Sequence, residues 1–229
     1  MKLRKKVLTI FGTRPEAIKM APVVKCLDLE ENIEHAVCIT AQHREMLDQI
    51  LNFFEIKPKY DLNLMKKGQR LDVLISKIIE KVGQVIREYK PDLVILHGDT
   101  ATTLGGAIAS YYNQISICHV EAGLRTKNFY YPWPEEGNRS LVGRITNLHF
   151  APTVSAEKNL IKEGVNPNTI YVVGNTVVDA VKYAKSIIFD DNRLKTRLKD
   201  KFSYLDKNKK TILVTTHRRE NFGKSIAEI

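Results

Sequence analysis

Seven runs of aliphatic and β-branched residues recur along this 229-residue chain, and most are apolar at successive positions rather than at every second one. They are Val7–Phe11, Ala36–Thr40, Leu93–His97, Ile115–Val120, Leu148–Ala151, Ile170–Val173 and Thr211–Thr216. A strand with one wet face alternates in polarity. A strand covered on both faces does not, and such strands belong to parallel sheets clothed by helices. Between them, Ala17–Glu30, Leu71–Tyr89, Thr102–Tyr112, Ser155–Lys162 and Val177–Ile187 carry helical spacing, with Ser155 placed to cap its helix. The alternation predicts an α/β fold with a doubly wound, Rossmann-like parallel sheet.

Residues 1–173 read as one complete domain. Residues 174–229 read as a connecting helix and the incomplete start of a second domain, because a charged break, Lys199–Lys210, precedes a new strand and the chain then stops at the start of a helix. Apolar residues make up 43% and charged residues 27%, which excludes wholesale disorder. No apolar run reaches the roughly 18 residues of a membrane span. The basic start is followed only by the short apolar stretch Val7–Phe11, too little for an export signal, so a cytoplasmic protein without a membrane partner is expected. The net charge is +10, but +7 of it lies in residues 182–229, and no basic segment is expected to be interleaved with exposed aromatics. That pattern favours a solvated basic face over a nucleic-acid site. Cys26, Cys38 and Cys118 form no paired motif and are expected as buried, reduced thiols.

In open parallel sheets ligands bind beyond the carboxyl ends of the strands, so the residues just after each strand carry the information. After the first strand come Gly12-Thr13-Arg14-Pro15-Glu16 and then Lys19, a tight turn into a helix whose N-terminus can hold an anion. It is neither a dinucleotide fingerprint nor a Walker loop, which counts against NAD binding and ATP hydrolysis. Next come Thr40-Ala41-Gln42-His43-Arg44, then His97-Gly98-Asp99-Thr100, then His119-Val120-Glu121. Glu135 and Glu136 follow the stiff Tyr131-Pro132-Trp133-Pro134 and precede Asn138 and Arg139. Several carboxylates around one crevice suit acid/base chemistry, and crowding raises their pKa values. Helix caps and surface ion pairs are the plain alternative for any one of them. A metal set from His97, Asp99, His119 and Glu121 is another, although the histidines fit better as satisfied core residues. His217, Arg218 and Arg219 suit a diphosphate, or form a basic loop partnered by Glu220.

The stretches FGTRPEAIKM, TAQHREMLDQ, HGDTATT, HVEAGLRT, PWPEEGNR, GNTVVDA and LVTTHRRENFG run in order across almost the whole chain. Together they resemble the bacterial non-hydrolysing UDP-N-acetylglucosamine 2-epimerases. The resemblance implies two Rossmann-like domains in a glycosyltransferase-B-like arrangement, truncated here in the second. It implies reversible interconversion of UDP-GlcNAc and UDP-ManNAc, by elimination of UDP to a 2-acetamidoglucal and re-addition. It implies no cofactor, no catalytic metal and a homodimer, with the product commonly feeding surface polysaccharide. Carried over by motif, Arg14, Lys19, Asp99, Glu121, Arg139 and His217 serve the nucleotide sugar. Asp99, Glu121 and Glu135 are the acid/base candidates, with His217 beside the leaving group. Gln42, His43 and Arg44 lie in a motif associated with a second, activating substrate site. Ala101 departs from the family's usual Thr, and the uridine pocket and a Ser-Gly-Gly loop of the family are absent. The 229 residues alone are therefore expected to have essentially no epimerase activity. The competing readings are a hydrolysing relative that releases ManNAc and UDP, a catalytically silent fragment that only binds nucleotide or a partner, and a glycosyltransferase of similar fold.

Overall fold

A computed structural model describes residues 4–41, 44–64, 68–206 and 208–214. The chain divides into two compact units, Met1–Ala184 and Lys185–Ile229. The first unit carries the sheet. Its strands are β1 (Lys5–Phe11), β2 (Ile33–Ile39), β3 (Tyr60–Asp61), β4 (Leu93–His97), β5 (Ser116–Val120), β6 (Leu148–Ala151) and β7 (Ile170–Val172). The helices in chain order are α1 (Arg14–Asp28), α2 (Arg44–Phe53), α3 (Leu71–Tyr89), α4 (Ala101–Tyr112), α5 (Glu135–Ile145), α6 (Val154–Lys162), α7 (Val177–Asp190) and α8 (Asn192–Lys201). All paired strands run parallel, in the order β3-β2-β1-β4-β5-β6-β7. The winding direction reverses between β1 and β4, which is the doubly wound topology predicted from the apolar runs. At such a reversal the connections leave in opposite directions and open a crevice at the carboxyl ends.

Leu8, Ile10, Leu96 and Ile117, on β1, β4 and β5, are all fully or almost fully buried. They belong to one core with Leu74, Ile78, Val82 and Ile86 of α3 and Leu104 and Ala107 of α4. The buried positions of α3 follow the 3.6-residue period, and the helix begins and ends where that period predicts. A smaller cluster of Ala122, Ala151, Ala156, Leu160 and Ile170 joins α6 to β6 and β7.

Several expectations change. Helix α6 is capped by Thr153, whose hydroxyl accepts from the Ala156 amide, and not by Ser155, which already lies inside the helix. Cys26 is exposed, while Cys38 and Cys118 are buried. The inward face of α1 is Ala17, Met20, Ala21 and Val24, and Cys26 falls off that stripe. Residues 211–214 form no strand, and Ile212, Leu213 and Val214 are strongly exposed. A parallel strand needs a neighbour to bond, and none reaches these residues among those described. Thr215 and Thr216 lie outside the described residues. Helix α8, in the second unit, starts on the Asp191 side chain and has no buried residue. Aromatics do stand exposed beside it, at Phe189, Phe202 and Tyr204, because no described residue from Lys185 onward is buried and no core covers them. No helix among the described residues is long and apolar enough to cross a membrane.

Just after β5, Gly123 has φ +86°, and a Cβ built there would meet the Ala156 carbonyl oxygen at 2.3 Å. The Gly123 carbonyl accepts from Asn159 Nδ2 at 3.0 Å, so α6 packs directly on this turn. A methyl group has neither an allowed backbone nor space. Gly123→Ala should therefore cost about 2–4 kcal/mol, measured by denaturant unfolding. A change within about 0.5 kcal/mol, the usual size at a featureless surface position, would show that the turn relaxes freely.

Candidate active site

At the reversal, Gly12 lets three elements close up. A Cβ there would fall 2.1 Å from Thr40 Oγ1 and 2.3 Å from Thr102 Oγ1, two hydroxyls hydrogen-bonded to each other at 2.7 Å. The next turn is closed by a capping box. Thr13 accepts from the Glu16 amide, and Glu16 Oε2 accepts from the Thr13 and Gly12 amides at 2.7 and 3.0 Å. Glu16 Oε1 then accepts from Thr100 Oγ1 at 2.7 Å, across the crevice on the β4 side. The Thr103 hydroxyl is also near Glu16, but its single proton points to the His97 carbonyl at 2.5 Å. Burial raises the Glu16 pKa, against the lowering effect of these donors.

A cavity of about 390 Å³ opens here. Thr13, Glu16, Lys19, His97, Asp99, Thr100, Glu121 and Glu135 contribute to its wall. The register that pairs His97 with Val120 sets Gly98 and Asp99 beside Glu121. Glu121 sits at φ +66°, an uncommon conformation for a residue with a side chain. Its carboxylate is gripped by Lys19 Nζ at 2.6 and 2.7 Å and by Asn175 Nδ2 at 3.1 Å. Asp99 is held more loosely, with Arg139 Nη2 at 3.4 Å from Oδ2. Burial pushes its pKa up to about 6. Arg139 opposes that rise, and Glu135, Glu121 and Glu16 add to it. Glu135, half-buried at the start of α5, completes the trio of carboxylates.

Its neighbour Glu136 points elsewhere. It is buried, 3.2 Å from Arg139 Nε, and accepts from the Thr126 amide. Arg14 is exposed in the first turn of α1, outside the cavity wall. Arg44 begins α2 and pairs with Asp48 at 3.0 Å and Asp61 at 2.5 Å. Those contacts raise its pKa, the hydrogen bonds to Asp48 and Asp61 foremost. Gln42, His43 and His217 lie outside the described residues.

The histidines divide. His119 is a core residue whose Nε2 donates to the Gly98 carbonyl at 2.7 Å, which meets the expectation of a satisfied core histidine by half, since its Nδ1 is buried without a hydrogen-bond partner among the described residues. His97 departs from the expectation of a satisfied core histidine. Its ring nitrogens are buried without a hydrogen-bond partner among the described residues, and Nε2 stands 3.2 Å from Glu121 Oε2 outside hydrogen-bond geometry. The register explains this, since the last residue of β4 ends beside the cavity rather than beneath a donor. Burial pushes both rings down to about 3. Among the described residues, no three His, Cys, Asp or Glu side chains converge as metal ligands. Glu16, Asn175 and Asn138 were not selected from the sequence as site residues, and His119 entered only in the metal alternative. Only Glu16 carries a local signal, the Thr-x-x-Glu capping box.

The folded chain holds the Asp99 proton up to about pH 6, whereas its ordinary value is 3.8. Between those values the folded state binds more protons, so this group's contribution to stability falls as pH rises through the window. Asp99→Asn should raise the melting temperature at about pH 7.5, with the gain shrinking towards zero at about pH 4. Thermal unfolding at the two pH values checks this. An equal gain at both would mean that the raised pKa is not the cause.

Residues 25–229 match the sequence profile of the family described as UDP-N-acetylglucosamine 2-epimerase. A Yersinia pestis UDP-N-acetylglucosamine 2-epimerase is 52% identical over 218 residues, 95% of this chain and 58% of that protein. The crystal structure of the Neisseria meningitidis UDP-GlcNAc 2-epimerase bound to UDP-GlcNAc superposes with a TM-score of 0.91 at 48% identity, over 96% of this chain and 59% of that one. A lipopolysaccharide outer core galactosyltransferase, at 15% identity and TM-score 0.55 over 75% of this chain and 45% of that one, shares the fold alone. The chain thus spans under two thirds of the length of these epimerases. By its profile match and its identity over nearly its whole length, the chain belongs to the UDP-N-acetylglucosamine 2-epimerase family.

Proposed function

We propose that this chain carries the acid/base half of a reversible, non-hydrolysing UDP-GlcNAc 2-epimerase. The observation that supports it is the meeting of Asp99, Glu121, Glu135 and Lys19 in one cavity at the reversal of the sheet. The reaction removes the C2 proton of the sugar while the C1–oxygen bond breaks, its electron pair leaving with UDP. The glucal that remains takes a proton on the opposite face of C2, and UDP re-adds at C1. The C2 hydrogen is weakly acidic, so a lone base is inadequate. Cationic character at C1 acidifies C2, and surrounding carboxylates favour that character.

The cavity suits both directions. Asp99, with a pKa near 6, exchanges its proton readily around neutrality. Glu135 faces the same space, while Arg139 turns its guanidinium to Asp99 and Glu136. Lys19 is the cavity's link to a phosphate. An arriving diphosphate competes with Glu121 for the ammonium group, and a carboxylate released from Lys19 is freed to take a proton. Arg14, and His217 beyond the described residues, are assigned to the departing UDP, whose charge grows in the transition state. The same reading assigns the uridine contacts to the part of the relatives' length that these residues do not span.

The test uses these residues within a protein of the relatives' full length, incubated with UDP-GlcNAc in deuterated water. Deuterium should enter C2 while the sugar stays on UDP. Asp99→Asn, Glu121→Gln and Glu135→Gln should each lower turnover by about 10²–10⁴-fold. Free sugar as the main product would replace this reading with the hydrolysing one, and no turnover at all would leave a binding protein.

A further inference from the structure

The turn that carries Asp99 is held by its backbone oxygens. Three consecutive carbonyls each accept from a side chain of a different element: His97 from Thr103 Oγ1 of α4 at 2.5 Å, Gly98 from His119 Nε2 of β5 at 2.7 Å, and Asp99 from Asn138 Nδ2 of α5 at 2.8 Å. The donors are 1%, 1% and 5% exposed, so water does not compete for these bonds. The Gly98 amide closes the set by donating to the Val120 carbonyl at 2.9 Å. From Gly98, at φ +69°, the chain turns into Asp99, and both peptide planes beside that residue are fixed.

One face of α5 meets Asp99 twice. Glu135, Asn138 and Arg139 are spaced i, i+3, i+4 and share a face. Glu135 stands in the cavity wall, Asn138 holds the Asp99 carbonyl, and Arg139 approaches the Asp99 carboxylate. Because the bond to Gly98 requires a proton on Nε2, His119 is fixed in one neutral tautomer. We infer that Asn138 and His119 are positioning residues that set the direction of the Asp99 carboxylate towards Arg139 and the cavity. This rests on the epimerase reading for its catalytic consequence, but the geometry does not. If either donor is lost, the peptide can rotate and the carboxylate can turn out of its half-buried seat. A misplacement of about 1 Å at a reacting group costs about 10²-fold in rate.

The charged groups that act on Asp99 are Arg139, Glu135, Glu121 and Glu16, and none is altered by the test. Aspartate residues labelled with ¹³C in this chain report the Asp99 titration directly, with Asp99→Asn supplying the assignment. In Asn138→Ala and His119→Leu the midpoint should drop by about one unit or more, towards the ordinary aspartate range. His119→Gln keeps an amide donor near the position of Nε2 and should retain the parent midpoint. Asn138→Ser, too short to reach the carbonyl, repeats the measurement if His119→Leu does not fold. In the full-length protein, Asn138→Ala should lower kcat about 10²-fold with KM changed by less than about threefold, and His119→Gln should stay within about tenfold of the parent. An unchanged Asp99 midpoint in folded Asn138→Ala overturns the inference. If the midpoint moves but the unmodified full-length protein does not epimerise its substrate, the positioning stands and the epimerase reading falls.

Discussion

The Glu16 carboxylate ties together the turns that follow β1 and β4, beyond the end of the ladder that pairs those strands. It takes the Gly12 and Thr13 amides on the β1 side and the Thr100 hydroxyl on the β4 side. These turns diverge because the winding reverses between their strands, and nothing in a parallel ladder would otherwise tie one to the other. A buried carboxylate without a counter-cation is costly, and donors aimed at both of its oxygens offset much of that cost. The same donors would be stranded if the group were apolar. The crevice therefore has a fixed width at its floor, and the side chains on its rim inherit that geometry.

What the sequence revealed follows the range of the interactions involved. Helix α3 was legible to the residue because its burial repeats along one local stripe. The apolar strands were legible because coverage on both faces leaves its mark on successive residues. Strand β3, with two residues paired to β2, has too little length to show a pattern. Helix α2 begins at Arg44, inside a stretch read for its chemistry rather than its period. Residues 211–214 have the composition of a strand without a ladder, since β-propensity describes a fit to neighbours and does not create them.

The site shows the same division. Asp99 and Glu121 could be placed in the crevice from the strand-end rule alone, and Glu135 from the stiff turn before it. Their supports could not. His119 reaches a carbonyl 21 residues away, Asn138 one 39 away, and Asn175 a carboxylate 54 away. Each pairing depends on strand order and register, which no local pattern encodes. His97 looked like its near neighbour His119 in sequence, yet one imidazole found a partner and the other did not among the described residues, because only β5 places its ring beneath the turn.

Charge balance points to the part of a substrate that suits this cavity. Four carboxylates, from Glu16, Asp99, Glu121 and Glu135, line it, against Lys19 in the wall and Arg139 reaching Asp99 from behind. A multiply charged diphosphate placed among them would meet net repulsion at short range, in surroundings that screen it poorly. A sugar ring that develops positive character would meet the opposite. Two of these carboxylates are also unequally furnished: Glu121 has a cation against both oxygens, while Asp99 has a more distant one and a raised pKa. That asymmetry separates a group held by its cation from one able to pass a proton near neutrality, which the proposed removal and return of one sugar hydrogen would require. On the proposed epimerase reading, the cations for a leaving diphosphate other than Lys19 then come from the rim, where Arg14 is exposed, or from residues outside the wall of this cavity.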